Sequence, residues 1–198
     1  MKKIIKQKFI SAVILAAGEG KRFGGLKQIY KLDNKPLLEV VIGLVSPLFD
    51  ETILVLGYQA ERIVSNIDLG DNIKTVINSR YREGMSVSIN KALSILSFKT
   101  THFAIFLGDM PYIKKETILE LKKYIDLQKR QIIAPIYKGK RGFPVLFSKD
   151  FVGDFLSIKG DKGARDLINK ERKYLTLVEV NDCGVIKDID RQKDLKKM

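Results

Sequence analysis

The residues of this chain that could do chemistry on phosphates crowd into one stretch, Leu15-Ala16-Ala17-Gly18-Glu19-Gly20-Lys21-Arg22-Phe23-Gly24-Gly25-Leu26-Lys27-Gln28. Four glycines let the backbone turn sharply and bring N–H groups close to an anion, and the cations Lys21, Arg22 and Lys27 neutralise its charge. The apolar run Phe9–Leu15 precedes the loop and reads as a first, buried strand, so the loop sits where open α/β sheets cradle phosphates. Two common cradles do not fit. A P-loop needs Lys-Ser/Thr after its last glycine, and Gly25 is followed by Leu26-Lys27-Gln28; a dinucleotide fingerprint needs glycine where Phe23 stands. A second focus is Gly108-Asp109-Met110-Pro111, at the end of the apolar run Phe103–Leu107. Gly-Asp before proline is ordinary turn chemistry, but a carboxylate at the end of a central strand, beside a phosphate cradle, is placed as a ligand for a hard cation such as Mg²⁺. A third is Gly84-Met85-Ser86-Val87-Ser88, where serines at a helix start serve as caps while the helix end offers free N–H groups to an anion.

The elements that must position these groups follow from periodicity. Pro36 opens a helix carrying Leu37, Val41, Leu44 and Val45 on one face and closed by Pro47. Strands are expected at Glu51–Gly57, Lys74–Asn78, Phe103–Leu107 and Tyr174–Val180, the third with no polar alternation, as suits a strand covered on both faces. Helices are expected at Gln59–Ile67, from Gly84, at Lys114–Lys129, Lys149–Leu156 and Lys162–Lys170, with a short one at Arg191–Lys196. Gln131–Tyr137 and Gly142–Phe147 read as a strand pair joined through Lys138-Gly139-Lys140-Arg141, adding an antiparallel edge. No linker, repeat or low-complexity tract divides residues 1–198, so the expectation is one Rossmann-like α/β domain, a mostly parallel open sheet with a small antiparallel extension.

Composition bounds the function. Hydrophobic content of 45% with 30% charged residues is globular, and no apolar run approaches the ~20 residues of a membrane span. Met1–Lys8 is basic, but Phe9–Ala17 runs straight into the glycine loop, so no signal peptide is read. The single Cys183 excludes an internal disulfide, which suits the cytoplasm, and with the lone His102 is too little for a zinc cluster. The net charge of +13 raises nucleic acid as a partner, but the lysines are spread over helical faces and both termini with no interleaved aromatic strand. A solvated cationic surface that also draws in polyphosphates is the expectation, with no nucleic-acid partner.

The loop matches a third pattern, Leu-Ala-Ala-Gly-x-x-x-Arg-Phe/Met-Gly with a following lysine, which resembles the signature of nucleotidyltransferases of the nucleotide-diphospho-sugar transferase type. Further motifs fall in order: Gly84–Ser88 resembles Gly-Met-Ser-x-Ser, Leu107–Pro111 resembles Leu-x-Asp-Met-Pro, and Gly142–Phe147 is similar to Gly-His-Pro-Val-Leu-Phe. Gly160–Arg165 is similar to Gly-Asp-x-Gly-Ala-Arg, and Asp188-Ile189-Asp190 to the start of Asp-Ile-Asp-Thr-Pro-Glu-Asp-Leu. Together they resemble the molybdenum cofactor cytidylyltransferase branch of the MobA-like NTP transferases. Phe143 stands where the branch has histidine, and Arg191-Gln192-Lys193 replaces Thr-Pro-Glu.

The resemblance implies Mg²⁺-dependent transfer of CMP from CTP to the terminal phosphate of molybdopterin, with a molybdenum hydroxylase apoprotein as a further partner. It implies that Leu15, Ala16, Ala17, Gly18, Glu19, Gly20, Arg80, Gly84 and Ser86 hold the nucleotide. Arg22 and Lys27 stabilise the charge that develops during transfer, and Asp109 and Asp190 hold the metal. Ser88, Gly142, Pro144, Gly160, Asp161 and Arg165 would face the acceptor. The alternatives are another NTP or another phosphorylated acceptor, such as a sugar or polyol phosphate, and a non-catalytic nucleotide-binding maturation factor.

Overall fold

The structure, a computed structural model, describes residues 7–70, 72–157 and 163–196. The chain runs β1 (Ile10–Leu15), β2 (Lys31–Leu32), β3 (Lys35–Pro36), α1 (Leu37–Val45), β4 (Glu51–Leu56), α2 (Ala60–Val64), β5 (Ile73–Ile77) and α3 (Met85–Leu93). It continues through β6 (His102–Leu107), α4 (Lys115–Lys123), β7 (Ile132–Tyr137), β8 (Lys140–Arg141), β9 (Val145–Ser148), α5 (Val152–Leu156), α6 (Gly163–Lys170) and β10 (Leu175–Glu179). The main sheet has the order β10-β7-β9-β6-β1-β4-β5, with β8 paired to β7; β2 and β3 form a separate two-stranded ribbon.

The pairs β1–β4, β1–β6, β4–β5 and β7–β10 are parallel, while β9 runs antiparallel to both β6 and β7. The mostly parallel α/β sheet read from the sequence is therefore the observed fold. Six consecutive buried residues in β1, and six in β4, leave no polar face, because helices cover both sides. One core joins Ile14, Leu54, Phe106 and Leu146 to α1 and α4; the other joins Val13, Ile105 and Phe147 to Ile89 of α3, Phe155 of α5 and Leu167 of α6.

Four expectations are corrected. The antiparallel pair is not an edge: β9 is inserted between β6 and β7, and β10 adds to β7 as the terminal strand. Between the pairs Ile133–Leu146 and Ile136–Arg141, β7 advances three residues while the opposing segment uses five. Strands β8 and β9 are thus one line broken by a two-residue bulge at Gly142-Phe143-Pro144, where the Phe143–Pro144 bond is cis. Helix α2 stops at Val64 because the side chains of Asn66 and Ser65 take the Arg62 carbonyl, at 2.8 and 3.1 Å, in place of a further helical turn. Helix α4 stops at Lys123, where the Gln131 side chain accepts from the Asp126 amide and donates to the Tyr124 carbonyl. The expected terminal helix is a 3-10 turn, Gln192–Lys196.

Candidate active site

The order of the sheet reverses between β1 and β6, with β4 and β5 on one side of β1 and β6 on the other. Ligands of open α/β sheets settle at the carboxyl ends of strands flanking such a switch point. A cavity of about 400 Å³ opens there, walled by Leu15–Gly18 after β1, by Leu107–Asp109 after β6 and by Gly84, Met85 and Ser88 at the start of α3.

The cradle is held by a residue that motif reading passed over. Gln28 is 3% exposed, and its side-chain amide donates to the carbonyls of both Ala16 and Gly18 at 3.0 Å. Engaging those two oxygens turns them from the anion-binding side of the loop. Gly20 has φ of +65°, and a Cβ there would lie 2.7 Å from the Gly25 carbonyl, so the turn needs glycine. On the outer rim Glu19 bridges Arg82 at 2.8 Å and Lys21 at 3.1 Å, which ties the loop to the approach to α3. The Arg82 and Lys21 hydrogen bonds hold the Glu19 carboxyl below its usual range.

Opposite the cradle stand three carboxylates. Asp109, Asp188 and Asp190 each place an oxygen within 4.8 Å of the others. Lys27 pairs with Asp109, reaches Asp190 at 3.8 Å and donates to the Ile189 carbonyl at 3.3 Å. Arg22 pairs with Asp190 at 2.7 Å. Partial burial, and then the charges of Asp109 and Asp190, push the Asp188 carboxyl up, although the residue as a whole is exposed. Asp109 Oδ1 is buried and has no hydrogen-bond partner among the described residues. A buried, unpaired carboxylate oxygen in a cluster of three is a costly arrangement that a hard divalent cation with oxygen ligands would relieve, so this donor set fits Mg²⁺ or Mn²⁺.

The loop carrying Asp188 and Asp190 is pinned from below. Asp182, 2% exposed, accepts from Lys114 N at 2.8 Å, Thr117 Oγ1 at 2.7 Å and Gly184 N at 2.9 Å. A Cβ on Gly184 would lie 2.0 Å from the Tyr112 carbonyl, and one on Gly142 2.2 Å from the Val185 carbonyl, so both approaches need glycine. The Phe143 amide donates to Val185 at 2.8 Å, and the Ile189 amide to the Asp109 carbonyl at 2.9 Å.

Of the residues singled out from sequence, Leu15, Ala16, Ala17, Gly18, Gly20, Arg22, Lys27, Gly84, Ser88, Asp109 and Asp190 share this cavity. Ser88, expected towards the acceptor, stands beside the cradle, and its hydroxyl accepts from Asn78 at 3.0 Å. Glu19 lies on the rim, Ser86 is buried outside the lining, and the Arg80 guanidinium is turned to Glu83 at 2.6 Å. Gly142 and Pro144 are buried in the bulge, Arg165 is exposed in the first turn of α6, and Gly160 and Asp161 lie outside the described residues. Lys21, Leu107 and Gly108 of the quoted motifs also line it, as do Gln28, Tyr81 and Met85, which were given no role, and Asp188, over which Asp190 was preferred as the metal ligand. Asp188 lay within the quoted Asp-Ile-Asp motif, and its alternation with Asp190 was the available signal.

A fold, a cradle and an acidic cluster of this kind define a nucleotidyltransferase, and residues 12–175 match the MobA-like NTP transferase domain: the chain belongs to that family. It is 26% identical over 185 residues to the molybdenum cofactor cytidylyltransferase of Escherichia coli K12, covering 93% of each chain. It is 32% identical over 133 residues to a probable molybdenum cofactor guanylyltransferase of Natranaerobius thermophilus, covering 66% of this chain and 62% of the other. Among solved structures it is similar to Rv0371c from Mycobacterium tuberculosis H37Rv, with a TM-score of 0.87 at 25% identity over 98% of each chain. The same mycobacterial protein in complex with manganese aligns with a TM-score of 0.82 at 25% identity, over 96% of this chain and 97% of the other.

Proposed function

We propose that residues 1–198 act as one cytoplasmic nucleotidyltransferase domain that transfers CMP from CTP to the terminal phosphate of molybdopterin. The observation that carries the reading is the meeting of the Gly18–Gly20 cradle, Lys27 and the three carboxylates in one cavity, with Asp109 Oδ1 left unpaired. An oxygen of the acceptor phosphate attacks the α-phosphorus of CTP, the bond to the β-phosphate oxygen breaks, and pyrophosphate leaves with that electron pair. The nucleophile is already an anion, so no side-chain base and no covalent intermediate are required.

Catalysis then rests on placement and charge. Backbone amides of Gly18–Gly20 receive the phosphates, and Gln28 keeps the competing carbonyls engaged. Lys27 and Arg22 oppose the negative charge that builds on the α-phosphoryl oxygens and the leaving group. Asp109 and Asp190, with Asp188 beside them, would hold a Mg²⁺ ion, which supplies Lewis-acid neutralisation of the phosphate oxygens when bound. The manganese complex of the mycobacterial relative supports a divalent ion in this fold.

Cytidine is favoured by the Gly84-Met85-Ser86-Val87-Ser88 motif and by the similarity to the Escherichia coli cytidylyltransferase. Backbone groups around Ala16-Ala17 and Arg80–Gly84 can meet the amine and carbonyl of cytosine, while a small pocket excludes purines by size. A molybdenum hydroxylase apoprotein would receive the product. Measured kcat/KM for the four NTPs with molybdopterin tests the base choice. CTP is expected to lead UTP by roughly one to two orders of magnitude, the cost of a missed buried hydrogen bond. The similarity to a guanylyltransferase makes GTP the rival, and a preference for GTP would overturn the cytidylyl reading.

A further inference from the structure

The far end of the sheet holds a second cavity, of about 1040 Å³, at the amino ends of β1 and β6. Its walls come from Phe9 before β1, from Phe98–His102 entering β6, from Leu127–Lys129 beyond α4 and from Ser148–Asp150 after β9. At ~3.3 Å per residue from His102 to Asp109 along β6, it lies roughly 20 Å from the nucleotide cavity.

Lys8, Lys99, Lys129 and Lys149 line it, against the two carboxylates of Asp50 and Asp150. Asp50 accepts from the Ile10 amide at 2.8 Å, and Lys129 pairs with Asp126 at 3.1 Å. Among the described residues Lys8, Lys99 and Lys149 pair with no carboxylate. Lys99 and Lys149 are drawn together at Phe98: the Lys99 ammonium lies 5.9 Å from the ring centroid, and Lys149 Nζ donates to the Phe98 carbonyl at 2.9 Å. Phe98 is 86% exposed, the most exposed large apolar side chain among the described residues.

His102 supplies an independent observation. Alternation along β6 puts it on the face of Ala104 and Phe106, which share a core with Ile118 and Leu121 of α4. Its ring therefore points to the side on which Leu127–Lys129 wall the cavity. The residue is 2% exposed, and Nε2 is buried with no hydrogen-bond partner among the described residues. Burial, and then the positive charge of Lys8, favour the neutral imidazole. The Thr101 hydroxyl donates to the Phe9 carbonyl at 3.0 Å, so towards His102 Nδ1, 3.3 Å away, it accepts. Nδ1 then carries the ring proton, and Nε2 keeps a bare lone pair. A buried acceptor left unpaired is costly, and a donor brought in by a ligand would relieve it.

We infer that this cavity binds a phosphorylated small molecule, with phosphate oxygens on Lys8, Lys99 and Lys149, carbon skeleton against Phe98, and one O–H or N–H donated to His102 Nε2. Ammonium groups without counter-ions call for the phosphate, and the lone pair calls for a donor on the same molecule. The site lies beyond nucleotidyl transfer and does not rest on that reading.

The chain has one histidine, so nitrogen NMR reports the Nε2 environment in the unaltered, full-length protein. Ribose 5-phosphate, which carries both groups, is titrated in, with inorganic phosphate alongside. Ribose 5-phosphate should move the Nε2 resonance saturably towards the hydrogen-bonded range, and inorganic phosphate should bind more weakly and move it less. The exposed Lys8 and Lys99 can be changed without loss of fold, and Lys8→Gln with Lys99→Gln should weaken ribose 5-phosphate binding by at least about ten-fold. Lys27→Ala, in the distant cradle, should leave that binding within about two-fold. No saturable shift with ribose 5-phosphate would overturn the site. So would binding that is lost in Lys27→Ala but survives the double lysine change, which belongs to the cradle. Equal affinity for both probes with Nε2 unmoved would leave only a patch of lysines and would overturn it too.

Discussion

Glu51 begins β4 and Asp109 follows the end of β6, so two shielded carboxylates stand at opposite ends of the two parallel strands that flank β1, and their surroundings differ in kind. Glu51 is 8% exposed and fully engaged: it accepts from Ser11 at 2.6 Å, Lys74 at 2.6 Å and the Ser97 amide at 3.2 Å. Burial alone would raise its carboxyl, but the bonds from Lys74, Ser11 and Ser97 outweigh it and hold the group below the usual carboxylate range. Asp109 keeps one buried oxygen unpaired and faces two further carboxylates, one of them pushed up. A satisfied carboxylate contributes to the fold. A cluster left short of donors is poised for a ligand, and the fold bears its cost elsewhere.

That contrast can be broken by exchanging which property each end loses. The largest expected effect is in Asp109→Asn, which should lower kcat by at least about a hundred-fold while the thermal midpoint without metal stays within about 4 °C. Full activity of that variant in EDTA would end the metal assignment. Next, Lys27→Ala should lower kcat by about ten- to a hundred-fold with little change in the CTP KM, and Arg22→Ala less, since its side chain is 69% exposed. A raised KM at unchanged kcat would make both residues plain binders.

At the other end the losses should fall on stability. Glu51→Ala removes the buried acceptor shared by Ser11, Lys74 and the Ser97 amide and should cost about 2–4 kcal/mol in urea unfolding, with kcat per folded molecule unchanged. Activity lost in step with Asp109→Asn would erase the distinction between the two ends. The smallest effect belongs to His102, buried at the start of β6, where burial and then the charge of Lys8 bring its pKa from 6.5 to about 4. The unfolded chain takes up the proton first, so stability is intact above pH 6.5 and falls as the pH drops towards 4, by about 2 kcal/mol at pH 5. His102→Gln should flatten that part of the profile, and an unchanged slope would show the imidazole already charged in the fold.

How legible each end was follows from the range of its interactions. The cradle and Asp109 could be read because each lies within a few residues of an apolar run that had to be a buried strand, which sets its height in the sheet. Gln28 could not, because its bonds to Ala16 and Gly18 depend on a loop folding back over ten residues, and a lone glutamine has no pattern. The insertion of β9 was hidden because the Gly142-Phe143-Pro144 segment reads as strand continuation, whereas the sheet needs a bulge there to meet Val185. Arg141 was read as a turn residue for the same reason. Helices α2 and α4 were overestimated because side chains at Asn66 and Gln131 compete with the backbone in ways that apolar periodicity does not register. Among the described residues no helix is long and apolar enough to cross a membrane, as the absence of a long apolar run had suggested.

The central claim is that the underpaired carboxylates and the cradle together make a metal-dependent nucleotidyl-transfer site. Its most direct test is to incubate the protein with CTP and molybdopterin, with Mg²⁺ or with EDTA, and to follow pyrophosphate and the mass of the pterin product. The account predicts one pyrophosphate released for each pterin that gains CMP, in Mg²⁺ alone. Release of pyrophosphate at the same rate in EDTA, or no product from any of the four nucleotides in a protein that binds them, would contradict it.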